Sequence, residues 1–237
     1  MTLDPTYRIQ SDTGTVTGTT GFTASLPNPT ADSSTLLLFV ACSGGGSLVP
    51  QQQSFDPPFF QDEGHGGLDF AWRRDAQPAG ETSWAITPTS GISTNWAWRV
   101  EEWGGLSSIG QPDANTALVI VANPPSVSTG TATADVSDFA ALAMFRSSWS
   151  NTGNAWPSGR AYSSGWSEVA YLTNGTGGSA TDFQLIVAEA YPGASGSVQC
   201  TLTWDTSGGG TIPVGTDAWV ACYQPGVPDP STGVLTS

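Results

Sequence analysis

Apolar positions along this chain fall in short runs, and most of the runs alternate with polar residues at a period of two. Gly, Pro, Asn and Ser separate them. That rhythm predicts strands rather than helices. Strands are expected near 14–26, 35–42, 68–75, 82–87, 96–103, 139–147, 167–172, 183–191, 197–204 and 217–223, with one or two more between 116 and 134. In "NWAWRVEEWGGL" the alternation puts Trp96, Trp98 and Val100 on one face and Ala97, Arg99 and Glu101 on the other.

The two halves of the chain echo one another. "SSTLLLFVACSG" returns as "SDFAALAMFRSS". "LDFAWRRDAQPAGETSWAITPTSGISTNWAWRVEEWGG" returns as "FQLIVAEAYPGASGSVQCTLTWDTSGGGTIPVGTDAWVACYQPG". The repeat covers approximately 30–106 and 135–225, too long for a small solenoid. Two similar antiparallel sets, each with a face to bury, predict an all-β fold. The expected form is an antiparallel two-sheet β-sandwich of jelly-roll type, a single domain over 1–225. The stretch 226–237, with "PGVPDPSTGVLTS" around it, has no packing pattern and is expected to be an extended C-terminal tail.

Composition sharpens this. Charged residues are 11% of the 237, while Gly numbers 29 and Pro 17, so long amphipathic helices lack the side chains for a wet face. Under a tenth of the residues should be helical. The net charge is -14, all six basic residues are arginines, and lysine is absent. A phosphate backbone or an anionic bilayer would repel such a chain, so neither nucleic acid nor membrane insertion is expected. The start "MTLDPTYRIQSDTG" carries no secretory pattern, and no apolar run reaches the ~18 residues of a membrane span. Three cysteines lie in strand-like runs; Cys200 shares its phase with Val198, Leu202 and Trp204. Buried thiols are expected, a Cys200–Cys222 bridge being the alternative.

The segments 34–42, 72–84 and 96–106 carry a "gdlLvv.v" strand, a "W.r...a.aGet...v" stretch and a "w.v.eysGl" strand. In these the chain resembles a β-sandwich domain of bacterial surface proteins and of tail and other virion proteins of actinobacterial phages. The resemblance covers most of 30–225, the second half more loosely, and rests on scaffold positions. The insert "SGGGSLVPQQQSFDPPFFQDEGHGG" and the Trp-rich segment after Phe145 depart from it.

Candidate chemistry is sparse. Adjacent strand positions cannot present Glu101 and Glu102 to one substrate, whereas a glycosidase needs two carboxyls on one cleft. An ion pair of Glu101 with an arginine on the outer face is expected instead. His65, the only histidine, sits in the Gly-flanked loop "QDEGHGG". Such a loop is a poor support for a general base. Asp56, Asp62, Glu63 and Asp69 lack calcium-loop spacing. No catalytic residue, metal or cofactor is therefore expected.

Ten tryptophans are the oddity. Trp84, Trp96, Trp98, Trp204 and Trp219 fall in strands and fit a core. Trp149, Trp156 and Trp166 lie with Arg146, Arg160 and Tyr162 in "RSSWSNTGNAWPSGRAYSSGW", mostly loop by pattern. Those six are the candidate partner- or glycan-binding residues, the alternative being a loop folded back on a sheet edge. The resemblance implies a phage virion structural protein, most simply a minor tail or tail-tip component, made in the host cytoplasm and placed in the virion. Its expected partners are other virion proteins and further copies of itself. Capsid decoration or a head fibre, and a carbohydrate-binding module for a host-surface glycan, are the alternatives; a glycosidase or lyase would need an acid pair that is not evident.

Overall fold

The computed structural model describes residues 5–43, 50–51, 60–62, 68–88, 94–106, 114–115, 119–122, 125–134, 137, 139–148, 156–175, 181–207, 210, 212–213 and 215–226 of the 237. A first set of strands comprises β1 Arg8–Thr19, β2 Phe22–Ser25, β3 Ser34–Cys42, β4 Pro50–Gln51, β5 Phe60–Asp62, β6 Leu68–Gln77, β7 Ser83–Pro88 and β8 Thr94–Trp103. After β9 Ala114–Asn115 come β10 Val119–Ala122, β11 Ser126–Ser128, β12 Ala132–Ala134, β13 Ala140–Ser148, β14 Gly159–Tyr162 and β15 Ser167–Asn174. The chain continues through β16 Phe183–Ala190, β17 Gly196–Val198, β18 Thr201–Asp205 and β19 Gly215–Tyr223. One 3-10 turn, Pro5–Tyr7, is the sole helical element among the described residues. The protein is an all-β, antiparallel sandwich.

The sequence echo has a topological counterpart. The first half forms a large sheet ordered β1-β8-β3-β6-β5 and a small one ordered β2-β7-β4. The second half forms β10-β19-β13-β16-β15 and β11-β18-β14, which is the same order with β10, β11, β13, β14, β15, β16, β18 and β19 in the places of β1 to β8. The repeat therefore begins earlier than the echo suggested, since β1, β2, β10 and β11 belong to it. The second half adds β9 on the edge of β19 and a ribbon of β12 and β17.

These sheets stack in four layers with the two large sheets inside. One core lies between the large sheets and joins Leu37, Phe39 and Trp103 to Leu142, Met144, Leu185 and Trp219. A second packs the outer face of the first large sheet (Leu36, Leu38, Val40, Trp96) on Phe22, Trp84 and Ile86. A third packs Phe145, Ile186 and Val220 on Val127, Leu202 and Trp204. β3 reads STLLLFVAC and is buried at every position, because alternate side chains enter different cores.

The halves meet across the gap between the two large sheets. Arg73 of β6 lies 5.8 Å from the Tyr223 ring of β19, and β8 in turn approaches β16. The edge strand β15 also approaches β1 and β8. Phe39 stacks on Trp219 at 6.1 Å near the middle of this gap.

Local departures from the expected strands have local causes. The expected 14–26 strand is two, broken between Thr19 and Phe22, where Thr19 Oγ1 donates to Gly21 O at 2.7 Å. The 197–204 strand divides into β17 and β18. β14 occupies part of the Trp-rich stretch expected to be loop, and 116–134 holds three strands rather than one or two. Gly14 sits directly opposite Trp98, and a Cβ there would lie 2.0 Å from the indole, so this edge position needs glycine.

Candidate binding surface of the second unit

The six candidate residues do not form one exposed patch. Arg146 lies in β13, only 2% exposed, with Nη1 donating to Asp217 Oδ2 at 3.2 Å and its guanidinium 6.0 Å from the Phe183 ring. It lies in the strand expected over 139–147 and is held between the large sheets, which corrects its place among the candidate binding residues. The sequence signal was present: Arg146 is in phase with Leu142 and Met144 of the inner core. Trp149 lies outside the described residues. Trp156 is half-buried.

Arg160 and Tyr162 are brought together at the flank where β14 meets β15, and Trp166 just before β15 bonds elsewhere. Arg160 donates from Nε to Glu168 Oε2 at 2.7 Å and from Nη2 to Oε1 at 3.2 Å, a two-pronged pair. The Tyr162 hydroxyl donates to the same carboxylate. The Arg160 guanidinium also lies 3.4 Å from the centroid of the Tyr171 ring. Burial would weaken the charge on Arg160, but Glu168 outweighs it and the pKa is raised. Burial likewise pushes Glu168 upward, and the bonds from Arg160 and Tyr162 overcome it, leaving its pKa below the ordinary value. Burial first, and Glu168 second, push the Tyr162 pKa well up. This cluster ties the small outer sheet to the edge of the large one.

Trp166 packs partly against the outer core and donates from Nε1 to Gln199 O at 3.1 Å. It also lines an open pocket of about 310 Å3 with Ser164, Tyr191, Pro192, Val198 and Gln199. Tyr191, which the sequence pattern did not single out, packs partly against the inner core, 6.4 Å from Trp103, and donates to Glu189 Oε2 at 2.9 Å. Its signal was weak, a single aromatic at a strand end before Pro192.

The opening acidic pair is placed differently from expectation in one respect. Glu101 and Glu102 do face opposite sides, but both are wholly buried. Glu101 enters the gap between the large sheets, where it accepts from Arg99 Nε and, at 2.8 Å, from Trp103 Nε1. Arg8 Nη1 is 3.9 Å away from it and also donates to Glu189, while Arg99 Nη1 reaches Val169 O at 2.8 Å. So the arginine partner exists, in the interior and not on the outer face. Glu102 accepts from Ala31 N and Gln10 Nε2, each at 2.6 Å. Burial alone would lower the Arg8 pKa; Glu101 and Glu189 outweigh it and raise it. Neither carboxylate stands beside open space with a second acid across from it, so the pair offers no glycosidase geometry.

His65, Asp56 and Glu63 lie outside the described residues. Among the described residues no group of three His, Cys, Asp or Glu is placed to hold a metal ion. Likewise no helix among them is long and apolar enough to cross a membrane. Cys42, Cys200 and Cys222 are buried thiols and no disulfide joins them. Burial pushes the Cys200 thiol up to about 12, against a lowering bond from Ser163, so it stays protonated at neutral pH. Trp84, Trp96, Trp204 and Trp219 are core residues, and Trp98 stacks on Phe22 at 4.7 Å. No protein-family model matches the chain, and no curated protein matches it.

Proposed function

We propose that the chain is a structural protein of a phage virion, most simply a minor tail or tail-tip component that assembles with other virion proteins and with further copies of itself. The observation that carries this is the duplication: two units of identical strand order packed across a buried gap. A chain built as its own pseudo-dimer suits a rigid assembly block, since its shape survives without a partner. The order first-eighth-third-sixth opposite second-seventh-fourth supports a jelly-roll winding for each unit, a plan that capsid proteins and lectins share. The fifth strand departs from it by pairing with the sixth alone. The sequence resemblance to tail and virion sandwich domains points the same way, with capsid decoration as the rival location.

A scaffold role rather than catalysis is further supported by the engagement of Glu101, Glu102, Glu168 and Glu189, each bonded to a donor within the fold. The test is immunogold electron microscopy of particles from the culture whose genome encodes the chain, using antibody to the purified protein. Gold at the tail or its tip supports the assignment, gold on the head moves it to capsid decoration, and particles free of gold overturn it.

A further inference from the structure

The two units share a plan, but among the described residues the second alone adds a ribbon at the connection between its sixth and seventh strands. Between its sixth and seventh strands the first unit turns within 78–82, and backbone bonds Leu26 N to Thr82 O and Thr30 N to Glu81 O, each 2.9 Å, close that turn onto the neighbouring connection. In the second unit the same connection runs from 191 to 200 and forms β17, which pairs with β12 through Ala132 opposite Val198 and Thr133 opposite Ser197. Residues of this added ribbon form one side of the pocket that Trp166 and Tyr191 line. A connection short in one copy of a duplicated scaffold and elaborated in the other, ending in a pocket, is where a function beyond the scaffold is to be sought.

The walls are held before anything binds. The polar ends of both rings are already engaged, Trp166 Nε1 donating to Gln199 O at 3.1 Å and the Tyr191 hydroxyl to Glu189 at 2.9 Å. Gln199 is itself anchored, Nε2 donating to Thr129 O at 2.7 Å. One side of each ring rests on a core, Trp166 on the outer and Tyr191 on the inner. The rest of the lining is Ser, Gly, Pro, Ala, Val and Gln, with no ionisable group besides the Tyr191 phenol. At about 310 Å3 the space is at the small end of ligand pockets, room for one ring.

We propose that this pocket binds a single neutral hexopyranose ring, as found at the end of a glycan. The C–H face of a pyranose carries partial positive charge and matches the negative face of an aromatic ring, while its hydroxyls suit the serine hydroxyls and the free side of an amide. An anionic sugar finds no cation in the lining and a chain of net charge -14 around it. A quaternary ammonium would be drawn to the rings, but no carboxylate lines the pocket, and Glu189 nearby is engaged by Arg8 and Tyr191. For a ligand of about a dozen heavy atoms the dissociation constant is on the order of millimolar.

The experiment is a ligand-observed NMR titration of the full chain with glucose, galactose, mannose and N-acetylglucosamine, beside glucuronic acid, glucose 6-phosphate and choline. Saturable binding of at least one neutral sugar is expected, at least tenfold tighter than any charged probe. Trp166→Ala should weaken it at least tenfold. Because Trp166 also touches the outer core, Ser164→Trp at the exposed rim is the second variant: it fills the mouth without removing a packed ring and should abolish binding. Overturning results are no saturation by any neutral sugar up to about 50 mM, tighter binding of choline or of the charged sugars, or unchanged binding in Ser164→Trp. Particle labelling and sugar binding are read separately, so this site stands or falls independently of the virion assignment.

Discussion

The gap between the two large sheets and the gap beneath the first small sheet bury similar side chains to different ends. The outer one is filled by Phe22, Leu36, Leu38, Val40, Trp84, Trp96 and Val100, and the buried Glu102 on that face is held by neutral donors, Ala31 N and Gln10 Nε2. The inner one holds Leu37, Phe39, Met144, Leu185 and Trp219, and with them Arg8, Arg99, Glu101, Glu189 and the Arg146–Asp217 pair. Apolar filling can repack after a slide at a graded cost, whereas a buried charge that bonds across the gap is satisfied at one alignment. Within each unit short connections already fix the alignment of small sheet on large. Between the units they do not, and the polar links that cross there include Arg8 to Glu189 and Arg99 Nη1 to Val169 O, while Arg99–Glu101 and Arg146–Asp217 each lie within one sheet. The difference teaches that the inner gap resembles a subunit interface retained inside one chain.

The sharpest way to break this comparison is to strand a charge in the inner gap. Glu101→Ala leaves Arg99 and the Trp103 indole without their acceptor in a fully buried site. A loss of about 3–5 kcal/mol is expected in urea unfolding followed by circular dichroism. Replacing both partners, Arg99→Met with Glu101→Leu, should cost far less, since no charge is left unpaired between them. If the double change is as damaging as the single one, the pair is not what sets the cost, and the inner gap is ordinary core.

Leu38→Ala probes the outer gap. Leu38 is fully buried there, so truncation removes apolar contact and leaves a cavity, at about 2–5 kcal/mol. The expected contrast is in kind as well as size. Leu38→Ala should be rescued in part by a neighbouring enlargement such as Val40→Ile, whereas Glu101→Ala should not be rescued by any apolar enlargement nearby. Equal rescue of both, read as recovery of the unfolding midpoint, would erase the distinction drawn between the two gaps.

Much of the fold was legible and part of the site was not. β3 and β13 were readable as strands because STLLLFVAC and AALAMFRSS are short apolar runs between breakers. The same runs held an unused message: apolar residues on both faces mean a layer covered on both sides, as the two large sheets are. β14 was hidden because GRAY has one aliphatic residue, and its pairing with Arg160 opposite Trp204 is a long-range matter. Arg99 and Glu101 were given the right face by alternation, but alternation does not say whether a face meets water or another sheet. Tyr191 and Trp166, 25 positions apart, converge only through the β15–β16 pairing and the added ribbon, and nothing local in either stretch announces a pocket.

The smallest effect expected belongs to the flank, where charge is neither stranded nor buried deeply. Glu168 is depressed in the folded protein by Arg160 and Tyr162, against an opposing burial effect, and its side chain is 27% exposed. A carboxyl whose folded pKa lies below its unfolded value adds stability above the unfolded pKa and loses it as pH falls through the folded one. The unfolded value is near 4.5, so the contribution should be whole at neutral pH and fade as pH falls below that value. Exposure and salt keep it to about 0.2–1 kcal/mol. Glu168→Gln keeps the shape and removes the charge, so the variant should melt slightly below the parent at pH 7 and merge with it toward pH 3. Glu101→Gln is the reference at pH 7, where its deficit should be several times larger because its partners sit in the inner gap. A Glu168→Gln deficit as large as that of Glu101→Gln at pH 7, in differential scanning calorimetry at matched ionic strength, would show that the flank pair is as decisive as the inner one and that burial does not separate them.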